Sequence, residues 1–374
     1  QSRGLGDVYK RQGMGVGISR SKLAGAVAAE GGIGIISTAQ IGYDEDGFEK
    51  DQAGCNLLAI RKHIKRAKEI ACGNGLVGVN IMVALKHYKE HVMEAVAAGA
   101  DVIISGAGLP VKLPEYIGKA KTKIAPIVSS RRAADIILKM WARRYDRTAD
   151  FVVIEGPKAG GHLGFSDEEL ADIENIDYDE EIKDIIECTK EYGEKYNTHI
   201  PVIVAGGIFD HDDIIHALEL GADGVQIASR FVATKECDAS DEYKQAYLDA
   251  KEDDVKIIKS PVGMPGRAIR NDFIKRVEKE KQPVDKCYNC MKKCNPNEVP
   301  YCITKALVDA VNGDINNGLI FCGANVGRIN EMTTVHELMK ELVRPTDKKI
   351  QDESETHDIP VSYTHLTLPT KLEV

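Results

Sequence analysis

The stretch FVVIEGPKAGGHLG, residues 151–164, decides the fold that we predict for this chain. Its four leading apolar residues are typical of a short strand that is buried on both faces. A glycine-rich loop follows, and it carries one carboxylate, Glu155, and one imidazole, His162. Parallel α/β proteins present their chemistry in loops at the carboxyl ends of their strands. We therefore interpret this loop as the centre of a ligand site.

The same strand pattern recurs in six other segments, and helical segments alternate with them. Such alternation requires parallel pairing through right-handed crossovers. Two α/β architectures remain open, a doubly wound open sheet and a closed barrel of eight strands. We predict a TIM (β/α)8 barrel with a truncated first strand, because the chain is cut where the eighth strand would lie. The seven predicted strands are residues 33–37, 77–83, 101–105, 124–129, 151–154, 201–205 and 224–228.

Both ends of the chain lack the pattern of the rest. Residues 1–12 run into GMGVG without a helix or strand pattern, and the composition changes again from about residue 361. We interpret both ends as non-native and exclude them from the fold, so that residues 7–12 either fill the first-strand position poorly or leave the barrel short. The other predicted units are a barrel over residues 13–234, a small C-terminal cap with a cysteine cluster over 235–345, and a tail over 346–374.

Composition and charge exclude several classes of protein. The 374 residues are 43% hydrophobic and 29% charged, which is ordinary for a globular protein in water. The formal net charge of −9 argues against a nucleic-acid partner, since phosphate binding needs a basic face. No apolar run approaches the ~20 residues that a membrane helix needs. The nine cysteines are irregularly spaced, which favours a reducing cytoplasm over a disulfide framework.

Two further loops have features of a phosphate site. Gly206 and Gly207 follow one predicted strand and precede a helix, so backbone N–H groups could approach an anion there. One strand later, residues 224–231 supply a small residue and a hydroxyl. The phosphate site of a barrel commonly lies after strands seven and eight, which are these two strands if the missing one is counted. Either loop alone could equally be a plain turn.

Two polar residues are candidates for direct roles. Imidazole titrates near neutral pH, so His162 could take a proton from a carbon acid or hold an anion, although a structural histidine is the alternative. Asn80 interrupts the apolar segment VGVNIMV, and a buried amide costs free energy unless it is hydrogen-bonded. A bound ligand would supply that hydrogen bond, and so would a backbone group.

The motifs GMG, VGVNIMV, EGPKAGGHLG, PVIVAGGI and GADGVQIASRF occur in this order between residues 13 and 234. Together they resemble the nitronate monooxygenases, formerly called 2-nitropropane dioxygenases, whose superfamily includes FMN-dependent enoyl-acyl-carrier-protein reductases. The resemblance implies non-covalently bound FMN and makes His162 the base or substrate-positioning group. It also implies that Met14, Gly15 and Asn80 contact the flavin ring. For the ribityl phosphate it implies Gly161, Gly206, Gly207, Gln226, Ile227, Ala228 and Ser229.

The resemblance implies oxidation of an alkyl nitronate to a carbonyl compound and nitrite, with dioxygen as electron acceptor. The alternative is an NAD(P)H-dependent enoyl-thioester reductase, for which a basic entrance would receive an acidic carrier protein. A third class, a barrel that binds a phosphorylated sugar or nucleotide without redox chemistry, also remains. A basic entrance, or simply a solvated helix face, could be formed by Lys112, Lys119, Lys121 and Lys123.

The cysteine segment KCYNCMKKCNPNEVPYCI has a spacing that permits a metal site. Four thiolates at loop spacing suffice for Zn²⁺ or a [4Fe–4S] cluster. The spacing resembles the iron–sulfur site of flavin-containing dienoyl-CoA reductases, with a shorter last gap, and a cluster would argue against dioxygen as acceptor. Reduced structural thiols and a disulfide are the alternatives. The candidate ligands are Cys287, Cys290, Cys294 and Cys302.

Overall fold

The computed structural model describes residues 8–11, 15–173 and 176–343. Eight parallel strands form a closed barrel in the order β1-β2-β3-β4-β5-β6-β8-β9, which confirms the predicted TIM barrel. The remaining strands form a small antiparallel sheet in the order β10-β11-β7. The strands are β1 (Val8–Arg11), β2 (Ile33–Ser37), β3 (Leu76–Met82), β4 (Val102–Gly106), β5 (Lys123–Val128), β6 (Val152–Glu155), β7 (Gly161–His162), β8 (Val202–Ala205), β9 (Gly224–Ile227), β10 (Val255–Lys259) and β11 (Pro265–Ile269).

The first barrel position is filled by β1, which lies within the segment that we excluded as non-native. It pairs with β9 along its whole length. Among the described residues it meets β2 only where Lys10 lies opposite Ile33, whereas β2 and β3 are in register from Ile33 to Ser37. Val8–Arg11 therefore belongs to the barrel, and its contact with β2 is the short seam of the closed sheet.

Helices cover the outside of the barrel, and several of them begin at a short polar side chain that caps the helix. Ser130 accepts a hydrogen bond from the backbone of Ala133, and Asp210 forms a capping box with Asp213. None of the described helices is long and apolar enough to span a bilayer. The helices are α1 (Ser21–Ala29), α2 (Gln52–Ala71), α3 (Tyr88–Ala97), α4 (Leu113–Ile117), α5 (Arg131–Tyr145), α6 (Asp167–Ala171), α7 (Tyr178–Lys195), α8 (His211–Glu219), α9 (Ser229–Val232), α10 (Asp241–Asp249), α11 (Asp272–Val277), α12 (Ile303–Val311) and α13 (Val335–Leu342).

The barrel strands are apolar on both faces, because one face fills the interior and the other supports the helices. Alternate residues such as Ile35, Ile104 and Val153 pack together inside the barrel. Their neighbours, including Ile36 and Ile103, belong to the core between strands and helices. This two-sided burial explains the continuous apolar runs that identified the strands in the sequence.

Three aspartates form hydrogen bonds with the backbone at the amino-terminal end of the barrel. Asp101, Asp150 and Asp223 stand just before or near the start of a strand, and each follows an alanine in the sequence. Each carboxylate accepts a hydrogen bond from a backbone N–H near the start of a neighbouring strand, at 2.9, 2.9 and 2.8 Å. These charged acceptors satisfy donors that the parallel ladder leaves unpaired at its base. The donors are Val77, Ile124 and Val202.

A cap is inserted between the last barrel strand and the helix that completes the outer layer. The cap contains β10, β11 and α10 to α12, with its own small core around Phe273 and Tyr301. After it, α13 packs against α1 and α8, and Leu338 belongs to the main core. The chain leaves and re-enters the barrel at one place, because Thr234 lies beside Thr333. The tail predicted for residues 346–374 lies outside the described residues.

Replacement of Asp223 by alanine should lower the free energy of unfolding by about 1–3 kcal/mol, because the buried Val202 N–H would lose its acceptor. Urea denaturation measures this change. The matched control is Asp253→Ala, an exposed aspartate whose side chain makes no hydrogen bond to the described residues. Equal free energies of unfolding for Asp223→Ala and Asp253→Ala would show that the Asp223 carboxylate does not stabilise the barrel.

Candidate active site

A cavity of about 300 Å³ opens at the carboxyl ends of the barrel strands. A larger pocket of about 690 Å³ lies at the opposite mouth, but none of the predicted site residues lines it, and that face of a barrel usually serves stability. The cavity at the carboxyl ends is therefore the candidate site. Six predicted residues line it, namely Gly15, Asn80, Gly161, His162, Ala228 and Ser229.

The other predicted residues that the structure describes do not line the cavity. Gly206 and Gly207 have φ values of +91° and +100°, and a Cβ on Gly206 would lie 2.8 Å from the Gly156 carbonyl oxygen. Their turn is thus packed tightly against the loop after β6. Gln226 is buried, and both polar atoms of its amide lack a hydrogen-bond partner among the described residues. Ile227 belongs to the core, and Met14 lies outside the described residues.

His162 is held by the cap. Its Nε2 lies 2.7 Å from the Ser260 hydroxyl, and its ring meets the edge of Phe321 at 4.9 Å between centroids. Burial lowers the pKa of His162 to about 4, so the imidazole is neutral at pH 7. Its Nδ1 makes no hydrogen bond to the described residues, which leaves one nitrogen available for a ligand.

The loop between β6 and His162 is fixed by Arg267. This buried guanidinium donates to the carbonyl oxygens of Pro157, at 2.8 Å, and of Ala159. Burial lowers the pKa of Arg267, since the charged form loses water. A charged donor bonded to two loop carbonyls restricts the backbone that carries His162.

Asn80 presents an unsatisfied amide to the cavity. Its side chain lines the cavity and makes no hydrogen bond to any described residue, whereas its backbone oxygen accepts from the Thr38 hydroxyl at 3.2 Å. Of the two explanations that the sequence left open, a backbone partner for the side chain is therefore not present. A ligand partner fits the arrangement.

Much of the cavity wall comes from cap residues that the sequence analysis missed. Tyr243 and Tyr247 stack at 5.7 Å, and the Tyr247 hydroxyl donates to the Phe321 carbonyl oxygen. These residues occur in no short motif, so no signal in the sequence identified them. The cap residues that line the cavity are Tyr243, Tyr247, Met264, Leu307, Phe321, Cys322 and Gly323.

The predicted metal site is not supported. In the part of the chain that the structure describes, no group of three or more His, Cys, Asp or Glu residues is arranged to hold a metal ion. Burial raises the pKa of the Cys290 thiol to about 11. The correction applies to all four cysteines, which are free thiols: Cys287, Cys290, Cys294 and Cys302.

The cysteine segment nevertheless lies at the rim of the barrel. The backbone N–H of Lys86 donates to the Cys290 carbonyl oxygen at 3.0 Å, and the N–H of Lys292 donates to Ala84 at 3.0 Å. By contrast, Lys123 begins β5 and pairs with Asp150 at the amino-terminal mouth, opposite the cavity. Lys123 therefore does not belong to an entrance patch at the cavity.

Comparison with known proteins places these features in a family context. Residues 9–345 match the family model described as nitronate monooxygenase. A probable nitronate monooxygenase of Staphylococcus saprophyticus is 32% identical over 128 residues, which are 34% of each protein. A second relative, from Mycobacterium tuberculosis, is 27% identical over 70% of this chain and 62% of the relative's length. It is named (3aS,4S,5R,7aS)-5-hydroxy-7a-methyl-1-oxo-octahydro-1H-indene-4-carboxyl-CoA dehydrogenase. The chain thus spans less than two thirds of both relatives.

Solved structures share the fold over nearly the whole chain. FabK from Thermotoga maritima superposes with a TM-score of 0.70 at 25% identity, over 92% of this chain and 94% of FabK. A nitroalkane oxidase from Streptomyces ansochromogenes superposes with a TM-score of 0.64 at 20% identity, over 89% and 94%. The second similarity is evidence of fold alone.

The His162 imidazole should titrate near pH 4 in the folded protein, well below the usual value of about 6.5. Because its pKa is lowered by folding, His162 contributes stability that is present above about pH 6.5 and is lost as the pH falls towards 4. NMR titration, with the His162 signals assigned through His162→Gln, measures this pKa. A midpoint near 6.5 would show that the ring is solvated and not held in the cavity wall.

Proposed function

The chain belongs to the nitronate monooxygenase family, and on this premise we propose that it is an FMN-dependent oxidoreductase that converts alkyl nitronates to carbonyl compounds and nitrite. The observation that supports this most is the neutral His162 in the wall of a cavity that Gly161 and Ser229 also line. A neutral imidazole can act on a carbon acid or its anion at physiological pH.

The residues of the cavity fit FMN. Gly161 has a φ of +75° and open space where a Cβ would stand, so a flat ligand can approach its backbone. The Asn80 amide lacks a partner among the described residues and could bond a flavin ring. The Ser229 hydroxyl could bond the phosphate. When bound, FMN would supply the redox chemistry.

Residues of the cavity would accept the proton and position the substrate. When Nε2–H donates to the Ser260 hydroxyl, Nδ1 of His162 carries the free electron pair. Nδ1 could then take the α-proton of a nitroalkane, or position the nitronate that results. Apolar residues such as Ile127, Val128 and Leu307 line the same cavity. They would accommodate the alkyl group and exclude water from the reacting atoms.

A second candidate is an NAD(P)H-dependent reductase of enoyl thioesters. It is supported by the similarity to FabK and by the mycobacterial relative, whose name describes a carboxyl-CoA substrate. Both candidates use the same cavity and the same flavin, so they differ in what reduces the flavin. The compound that reduces the flavin therefore distinguishes the two candidate functions.

Anaerobic mixing of the purified, yellow protein with an alkyl nitronate should bleach the flavin absorbance, whereas NADH and NADPH should leave it unchanged. A stopped-flow absorbance trace measures both reactions. Rapid bleaching by a nicotinamide nucleotide and none by nitronate would refute the first candidate and favour the thioester reductase. Protein that binds no flavin would favour the non-redox barrel.

Replacement of His162 by alanine should leave FMN bound and reduce turnover of a nitroalkane by about 10²-fold, because the acceptor of its α-proton is lost. Turnover is measured per bound flavin. His216→Ala is the matched control, since this exposed histidine pairs with Asp179 outside the cavity. Loss of flavin with unchanged turnover per remaining flavin would contradict the role of His162.

A further inference from the structure

One short loop of the cap touches all three turns around the expected phosphate position. We call residues 321–325, sequence FCGAN, the cap loop. Gly323 N–H donates to the Ser229 hydroxyl oxygen at 3.0 Å, after β9. Ala324 N–H donates to the Lys158 carbonyl oxygen at 3.1 Å, after β6. The Asn325 amide donates to the Gly207 carbonyl oxygen at 2.7 Å, after β8.

The cap loop also packs at backbone distance against these turns. A Cβ on Gly160 would lie 2.6 Å from the Cys322 carbonyl group, and a Cβ on Gly323 would lie 2.7 Å from the Ser229 hydroxyl oxygen. Cys322 and Gly323 line the cavity themselves. The cap loop is thus a wall of the cavity that leaves no room for a side chain at either glycine.

The groups that the cap loop holds suit a phosphate. The Ser229 oxygen accepts from Gly323, so its own proton is free for an anionic oxygen. The Lys158 stem runs beside Gly207, where a Cβ would lie 3.2 Å from it. The Lys158 ammonium forms no ion pair with the described residues. A hydroxyl donor therefore stands at these turns, and the stem of the exposed Lys158 lies beside them.

We propose that the cap loop is part of the phosphate site, and that it makes the site prefer a phosphorylated flavin to riboflavin by holding Ser229 and the Gly207 turn in place. The inference rests on the FMN assignment of the proposed function and extends it to residues outside the barrel. Asn325 acts here as a positioning residue, because it bonds the turn and not the ligand.

Asn325→Ala should raise the dissociation constant of FMN by about 5- to 10-fold, which corresponds to the loss of one hydrogen bond. The dissociation constant of riboflavin should change by less than about 2-fold. Flavin-fluorescence quenching on titration of full-length apoprotein measures both constants. Gly323→Ala should give the same pattern, because its methyl group would displace the Ser229 hydroxyl while keeping every hydrogen-bonding group of the chain.

Asn316→Ala is the matched control, since this exposed cap asparagine makes no side-chain hydrogen bond to the described residues. It should bind both flavins as the unchanged protein does. Equal weakening of FMN and riboflavin, or no change of either, in both cap-loop variants would overturn the inference and leave the FMN assignment intact. Failure of the unchanged protein to bind any flavin would instead overturn the assignment on which the inference rests.

Discussion

The antiparallel pairing of β7 with β11 is the contact on which the candidate site depends. It sets Gly161 opposite Arg267 and His162 opposite Gly266. Because β7 belongs to a barrel loop and β11 to the cap, this pairing joins the two parts of the chain at the cavity. It brings Ser260 to His162 across 98 residues of sequence. Without it, Gly161 and His162 would lose their paired strand in the cap.

Burial of Arg267 shows how the loop is kept rigid. A buried cation without a carboxylate is costly, and its two carbonyl acceptors offset only part of that cost. The guanidinium hydrogen-bonds the backbone at Pro157 and Ala159 and so positions this part of the loop. The cap loop also holds Lys158, through Ala324. The segment that presents His162 is therefore positioned by two cap elements and by the strand that precedes it.

The electrostatics of the cavity also depend on the contact between the cap and the barrel. The cap removes water from His162 and lowers its pKa, so that the ring is a neutral base at pH 7. Asn80, Ser229 and Glu155 are among the polar groups of a wall whose side chains are mainly apolar. Few polar groups in an apolar concave site are typical of cofactor and small-molecule sites. The barrel supplies their positions, and the cap supplies part of the wall around them.

Local pattern predicted the alternation of strands and helices and the rim loop that carries His162, whereas the site roles of Gly161, Ala228 and Ser229 came from the resemblance to a family. These features depend on short-range periodicity and on the rule that parallel strands end on one rim. Tertiary structure alone decided that Val8–Arg11 closes the barrel and that Ser260, Arg267 and the cap loop complete the cavity. Contacts between residues some 100 positions apart arise from packing, and packing leaves no periodic trace in the sequence.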